Sequence, residues 1–239
     1  MDGTLNLARA AIQSNVKKFI FVSSSTVHGP NFVPRPHDEA TVCEKPVTHY
    51  GRSKLQAERE ILKLTQDKSM SVSILRPGVF YGLRPSPNLQ QLMSLILNKK
   101  FVPCFGSEGY RRTYVNIEQV VDSLIFLSQQ GQHGEAYLIG DESPLTTAEL
   151  YQAITNGLGV KYKTLNLPTL CSRFAEKTAL LMGSKANIHL KVPNALGEFG
   201  RDHYFTSTKI KSLGFPVSKN SLTGIQSMAE KFLNNTQSN

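Results

Sequence analysis

The stretch Phe19-Ile20-Phe21-Val22-Ser23-Ser24-Ser25-Thr26-Val27-His28-Gly29 decides the fold class. Four apolar residues in a row, without polar alternation, suit a short strand covered on both faces, as strands inside a parallel sheet are. The run then breaks into hydroxyls and reaches a glycine, so the strand ends near Val22. Open α/β sheets bind ligands beyond the carboxyl ends of their strands. The Ser23–Thr26 cluster is therefore a candidate site, against the plainer reading of a serine-rich turn.

Outward from this strand, short apolar runs alternate with helix-period segments. Thr4–Asn15 predicts a helix with Leu5, Ala8, Ala11 and Ile12 on one face. His49–Gln66, Asn88–Asn98 and Glu118–Gln130 carry the same period. Val72–Leu75, Tyr114–Ile117 and Ala136–Ile139 predict strands, the first ending at Arg76-Pro77-Gly78. Thr146-Thr147-Ala148-Glu149 has capping-box spacing and opens a helix that ends near Gly157–Gly159, and a last helix lies near Leu222–Leu233. This order argues for an α/β fold with a parallel sheet.

Composition bounds the rest. With 239 residues, 40% of them hydrophobic, the chain can build a sizeable core and is not a disordered one. Apolar runs of about four residues are too short to span a bilayer, and no basic stretch followed by an apolar one opens the chain. Cys43, Cys104 and Cys171 are odd in number and far apart, which favours reduced thiols in a cytoplasmic protein over disulfides or a zinc site. The net charge of +9 divides into +2 on residues 1–150 and +7 on residues 151–239. Those lysines lie singly, with few aromatics between them, so a solvated surface or an anionic ligand is expected rather than nucleic acid.

Tyr50-Gly51-Arg52-Ser53-Lys54 supplies the chemistry. Residues four apart share a helix face, so Lys54 can approach the Tyr50 phenol, and an ammonium there would lower the phenol pKa toward a usable range. Alone, that spacing is common by chance. Its neighbours change the judgement: the Ser23–Thr26 hydroxyls upstream, and Leu75-Arg76-Pro77-Gly78-Val79-Phe80-Tyr81-Gly82 downstream, where a strand again opens into a loop.

These segments, in this order, resemble the extended short-chain dehydrogenase/reductase family, which includes nucleotide-sugar epimerases and dehydratases, with hydroxysteroid dehydrogenases as close relatives. The resemblance runs over essentially the whole chain. It implies a partial NAD(P)-binding Rossmann-type sheet over residues 1–85 and 113–145, and a small C-terminal α/β substrate lobe over 86–112 and 146–239. Ser24 matches the family's catalytic Ser/Thr, Tyr50 its acid/base, and Lys54 the lysine that holds the nicotinamide ribose and tunes the tyrosine. The Pro77-Gly78-Val79 backbone would border the nicotinamide of NAD or NADP. Ser25 would contact substrate, while Asn88 and Arg112 resemble residues that hold the diphosphate of a nucleotide sugar. Tyr204–Lys209 resembles a late family helix. A homodimer through the Tyr-Lys helix is also implied.

Several positions depart from the pattern. The family's glycine-rich turn, which binds the cofactor pyrophosphate, has no counterpart before Gly3, so these residues are expected to be part of a longer enzyme. His28 stands where the family usually has Tyr, and Val79 where sugar-nucleotide enzymes often have Asn. Ser25 and Thr26 replace the acid and base groups of family dehydratases, which disfavours dehydration. The implied reaction is hydride transfer at a carbinol or carbonyl carbon of a nucleotide-activated sugar. Two alternatives stand beside it: a reductase of apolar alcohols, suggested by Val79 and the apolar stretch Leu165–Met182, and an inactive truncated isoform. Glu58 is expected in a surface ion pair, and His37, His49, His133, His189 and His203 in surface or loop positions without ligand spacing. Arg201 fits a phosphate site poorly.

Overall fold

A computed structural model describes residues 2–31, 33, 35–41, 46–66, 69–83, 85–98, 101–105, 108–168, 201–219 and 221–237. The chain forms two compact units, one of residues 1–80, 113–142 and 204–219, the other of 81–112, 143–203 and 220–239. Cys43, Cys171, His189 and the stretch beyond Pro168 up to Gly200 lie outside the described residues.

The first unit is built on a parallel sheet of order β1-β2-β6, with β1 at Lys18–Val22, β2 at Ser71–Pro77 and β6 at Ala136–Ile139. Phe19 pairs with Val72 and Phe21 with Ile74, while Ile74 and Leu75 pair with Ala136 and Tyr137. Because side chains alternate across a pleated strand, this register sorts them cleanly. Phe19, Phe21, Val72, Ile74 and Ala136 pack with Ala8 of α1 (Asp2–Gln13) and with Ala57 and Ile61 of α2 (His49–Thr65). Ile20, Leu75, Tyr137 and Ile139 pack on the other face with Val120 and Leu127 of α4 (Ile117–Gln130). Both faces of the sheet are thus covered, as the uninterrupted apolar run Phe19–Val22 requires. The edge is different: among the described residues no strand pairs with the outer side of β1, and Val22 is 39% exposed.

Two short strands, β3 (Val79–Tyr81) and β5 (Tyr114–Asn116), form a separate pair. A 3-10 turn, Ser25–His28, follows β1. Residues 204–219, expected in the substrate lobe, instead belong to the first unit, where Ile210 and Phe215 join the α4 face of the core. The helix expected over Tyr204–Lys209 is displaced: Phe205 is extended and bridges His37, and helix α6 runs Thr208–Ser212. Tyr204 and Phe205 are held by backbone bridging, so helix begins only after Ser207.

The second unit contains α3 (Pro87–Asn98), a parallel pair of β4 (Phe101–Phe105) and β7 (Lys163–Leu167), α5 (Thr147–Leu158) and α7 (Ser221–Gln237). The Thr146–Glu149 capping box forms in full, and Gly159 ends α5 in the left-handed conformation (φ 64°). The β4–β7 pair has no counterpart among the strands expected from sequence.

Candidate active site

Ser24, Tyr50 and Lys54 come together at the carboxyl end of β1. Thr48 caps α2 by accepting from the Gly51 N–H at 3.0 Å, which places Tyr50 in the first turn and Lys54 in the second. Gly51 is the close-approach position. A Cβ there would lie 2.8 Å from the Thr26 carbonyl oxygen and 3.0 Å from the Pro46 Cβ. The missing side chain lets the start of α2 rest directly on the turn that carries Ser24.

Ser24 caps that turn, its Oγ accepting from Thr26 N at 3.3 Å and from Thr26 Oγ1 at 3.0 Å. The same hydroxyl lies near enough to the Tyr50 phenol to favour its ionised form. Lys54 donates its Nζ to the Val22 carbonyl oxygen at 2.9 Å, and the ammonium lies 5.7 Å from the centroid of the Tyr50 ring. Ser23 N donates to Leu75 O, so the alternation of the strand turns the peptide groups of Val22 away from β2. Lys54 therefore satisfies an outer-edge carbonyl of β1. Tyr50 is 54% exposed, which opens the site to solvent.

The electrostatics correct one expectation. The Tyr50 pKa is raised rather than lowered: burial of part of the ring pushes it up, and the nearby Ser24 hydroxyl offsets only some of that. The Lys54 ammonium, bonded to Val22 O and 5.7 Å from the ring centroid, does not reverse that rise. Burial lowers the Lys54 pKa, with Glu58 acting in the opposite direction.

Pro77-Gly78-Val79 continues β2 at the same end of the sheet. Gly78 N donates to Ile139 O at 2.9 Å and Val79 N to Thr113 O at 3.3 Å, so both amides serve the fold. Ser25 is buried beside Ser24. Asn88, on α3, and Arg112, which bridges Leu145 and His203 through its backbone, belong to the second unit. The Arg112 side chain is buried, not presented on the surface.

Sequence reasoning missed the group behind the site. Glu58, expected on the surface, is 2% exposed and grips Arg76: Nε to Oε1 at 3.0 Å and Nη2 to Oε2 at 2.6 Å. Arg76 Nη1 also lies 3.2 Å from His28 Nε2. His28 is buried and stacks, at 5.5 Å between ring centroids, on His37, which is half-buried in a loop. His203 is buried as well, and His133 Nδ1 accepts from Val72 N. The partners of Glu58 and His28 lie 18 and 48 residues away on other elements, beyond any local pattern.

The profile of the NAD dependent epimerase/dehydratase family matches residues 1–140, more than half of the chain. The chain belongs to that family. UDP-glucose 4-epimerase of Vibrio cholerae is 33% identical over 178 residues, covering 73% of this chain and 54% of the relative. Short-chain dehydrogenase/reductase family 42E member 1 of Danio rerio is 27% identical over 237 residues, covering 90% and 61%. The fold matches a solved UDP-glucose 4-epimerase from Thermotoga maritima, bound to UDP-glucose, with a TM-score of 0.75 at 22% identity over 98% of this chain and 69% of that one. It also matches a dTDP-glucose 4,6-dehydratase from Bacillus anthracis in complex with NAD, with a TM-score of 0.74 at 20% identity, covering 98% and 68%. The chain spans 54% and 61% of the two curated relatives' own lengths.

The family implies a nicotinamide cofactor, and the donor set at the end of β1 fits one. Tyr50 and Lys54 offer a phenol and an ammonium from one helix face to a site open to solvent, a pair suited to a ribose diol. Ser23 Oγ, at the same strand end, is buried without a hydrogen-bond partner among the described residues.

Proposed function

We propose that this chain carries the proton-transfer half of an NAD(P)-dependent oxidoreduction at a carbinol or carbonyl carbon of a nucleotide-activated sugar. The observation that carries the reading is the placement of Ser24 beside Tyr50, with Lys54 one helical turn on, at the carboxyl end of a parallel strand. Tyr50 takes or returns the hydroxyl proton at its phenol oxygen. Ser24 orients the reacting oxygen and bonds the phenolate more strongly than the phenol, so its bond strengthens as charge develops. Lys54 holds the ribose, one helical turn on from the phenol. NAD or NADP, when bound, would accept and return hydride. Return to the opposite face gives epimerisation, and departure of the reduced cofactor gives dehydrogenation. Asn88 and Arg112 are the proposed contacts for the substrate diphosphate.

The protein is incubated with UDP-glucose and NAD, and sugar interconversion is followed beside reduced-nicotinamide absorbance. Tyr50→Phe and Ser24→Ala are expected to lower kcat by roughly 10²–10⁴-fold, the usual contribution of general acid–base catalysis. Undiminished turnover by Tyr50→Phe refutes the reading. Val79 favours the second reading, a reductase of neutral alcohols. Under that reading a neutral alcohol turns over and UDP-sugar binding is absent, whereas under the first Arg112→Ala weakens UDP-sugar binding.

A further inference from the structure

Three segments bring the proposed site together, and one guanidinium touches all three. Arg76 stands at the end of β2, immediately before Pro77-Gly78-Val79, and is 8% exposed. Its fork is held by Glu58, which lies one helical turn beyond Lys54 and two beyond Tyr50 on the same face of α2. Its third nitrogen meets His28, the last residue of the turn that Ser24 caps.

A buried ion pair of this kind adds little stability over well-packed apolar residues of similar volume. What a planar, bidentate fork supplies is geometry, because it fixes direction as well as distance. His28 is suited to the third contact: burial and the adjacent guanidinium hold its pKa at about 3, so the ring is neutral and its Nε2 can accept from Nη1. His37, stacked on it with 23° between the planes, backs the ring.

We propose that Arg76 is a positioning residue, which through Glu58 and His28 sets the distance at which α2 presents Tyr50 to Ser24. The proposal rests on the reading of Ser24 and Tyr50 as one proton-transfer pair, but its test needs no turnover. The chain is labelled with 13C at tyrosine Cζ, the Tyr50 signal is assigned by its loss in Tyr50→Phe, and the phenol is titrated. Ser24→Ala, by removing the hydroxyl that favours the ionised phenol, is expected to raise the Tyr50 pKa by on the order of 0.5–1 unit. In a Glu58→Leu/Arg76→Met background, which removes the pair without stranding a charge, the same substitution should no longer shift Tyr50. Ile61→Val, in the apolar part of α2, serves as a control that lowers Tm and should leave the shift intact.

A full Ser24→Ala shift in the doubly substituted background overturns the proposal, whatever the change in Tm. If that background does not fold, Arg76→Lys keeps the charge and loses the fork; a diminished shift supports the proposal and an undiminished one overturns it. Failure of the catalytic reading is seen separately, as turnover indifferent to Tyr50→Phe, and leaves the titration result standing.

Discussion

Gly51 separates Tyr50 from the rest of its helix, and its hydrogen is a requirement of the site. Gly51→Ala gains about 1 kcal/mol of helix propensity, yet drives a Cβ to 2.8 Å from the Thr26 carbonyl. The clash should win, with a net loss of about 1–3 kcal/mol in urea unfolding. Turnover should fall about tenfold or more as Tyr50 is lifted from Ser24. A stabilised, fully active Gly51→Ala would mean that α2 need not rest on the turn. His28 gives a second residue-scale test. Its folded pKa, about 3, lies below the ordinary histidine value of 6.5, so between those limits the unfolded chain binds a proton that the folded chain does not. The stability is complete above pH 6.5 and is lost as pH falls, at about 1.4 kcal/mol per unit from this group. His37, also lowered by burial, acts in the same sense. His28→Gln should flatten the loss measured between pH 7.5 and pH 5; an unchanged acid limb would remove His28 from the account. At this scale the sequence was legible where placement follows helix spacing, as for Tyr50 and Lys54 on α2. It was silent on the Tyr50 pKa, because ring burial and the direction taken by a lysine tip are tertiary facts.

Among the elements, α2 and β6 show what the register of apolar residues could and could not tell. The helix expected over His49–Gln66 runs His49–Thr65, and the strand expected over Ala136–Ile139 has those bounds. Both follow from periodicity and capping alone. The treatment of strand edges is less visible. On the side of β6 away from β2, side chains stand in for a strand: Glu39 Oε1 accepts from Leu138 N at 3.0 Å, and the Ser207 hydroxyl both accepts from Gly140 N and donates to Gly140 O at 3.0 Å. These contacts come from residues 67–99 positions away in the chain, so no window of sequence announces them. Ser207→Ala removes the hydroxyl that serves both the N–H and the C=O of Gly140. It should cost about 1–3 kcal/mol, seen as a lowered urea midpoint at unchanged slope. A cost near zero would show that the Gly140 groups find other partners. The strands β4 and β7 escaped sequence reading for a related cause. Each is five residues long, β4 contains Pro103, and β7 alternates Lys163, Leu165 and Leu167 with polar residues too briefly to separate from loop.

At the scale of the whole molecule, the division of the chain was legible only in part. The sequence reading divides the chain near residues 85, 113 and 145, and the compact units divide after Phe80, Arg112 and Glu142. The return of residues 204–219 to the first unit was hidden, because Ile210 and Phe215 show an apolar character that fits either core. Each unit has its own buried cluster, and that has a measurable consequence. In the second unit α5 packs on α7 with Gly157 at the crossing, where a Cβ would lie 2.2 Å from the Gln226 carbonyl oxygen and 2.7 Å from the Ala229 Cβ. Gly157→Ala must push the two helices apart, since backbone and a buried methyl cannot yield as a flexible side chain can. Ala153, Ile154 and Leu158 of α5 and Ile225, Met228 and Ala229 of α7 are all buried and lose packing with that shift. Native-state hydrogen exchange reads stability segment by segment. In Gly157→Ala, protection should fall in α5 and α7 while β1, β2 and β6 keep theirs, because the cluster around Leu75, Tyr137 and Leu127 contains no residue of either helix. Equal loss across the parallel sheet would show instead that the two units unfold as one.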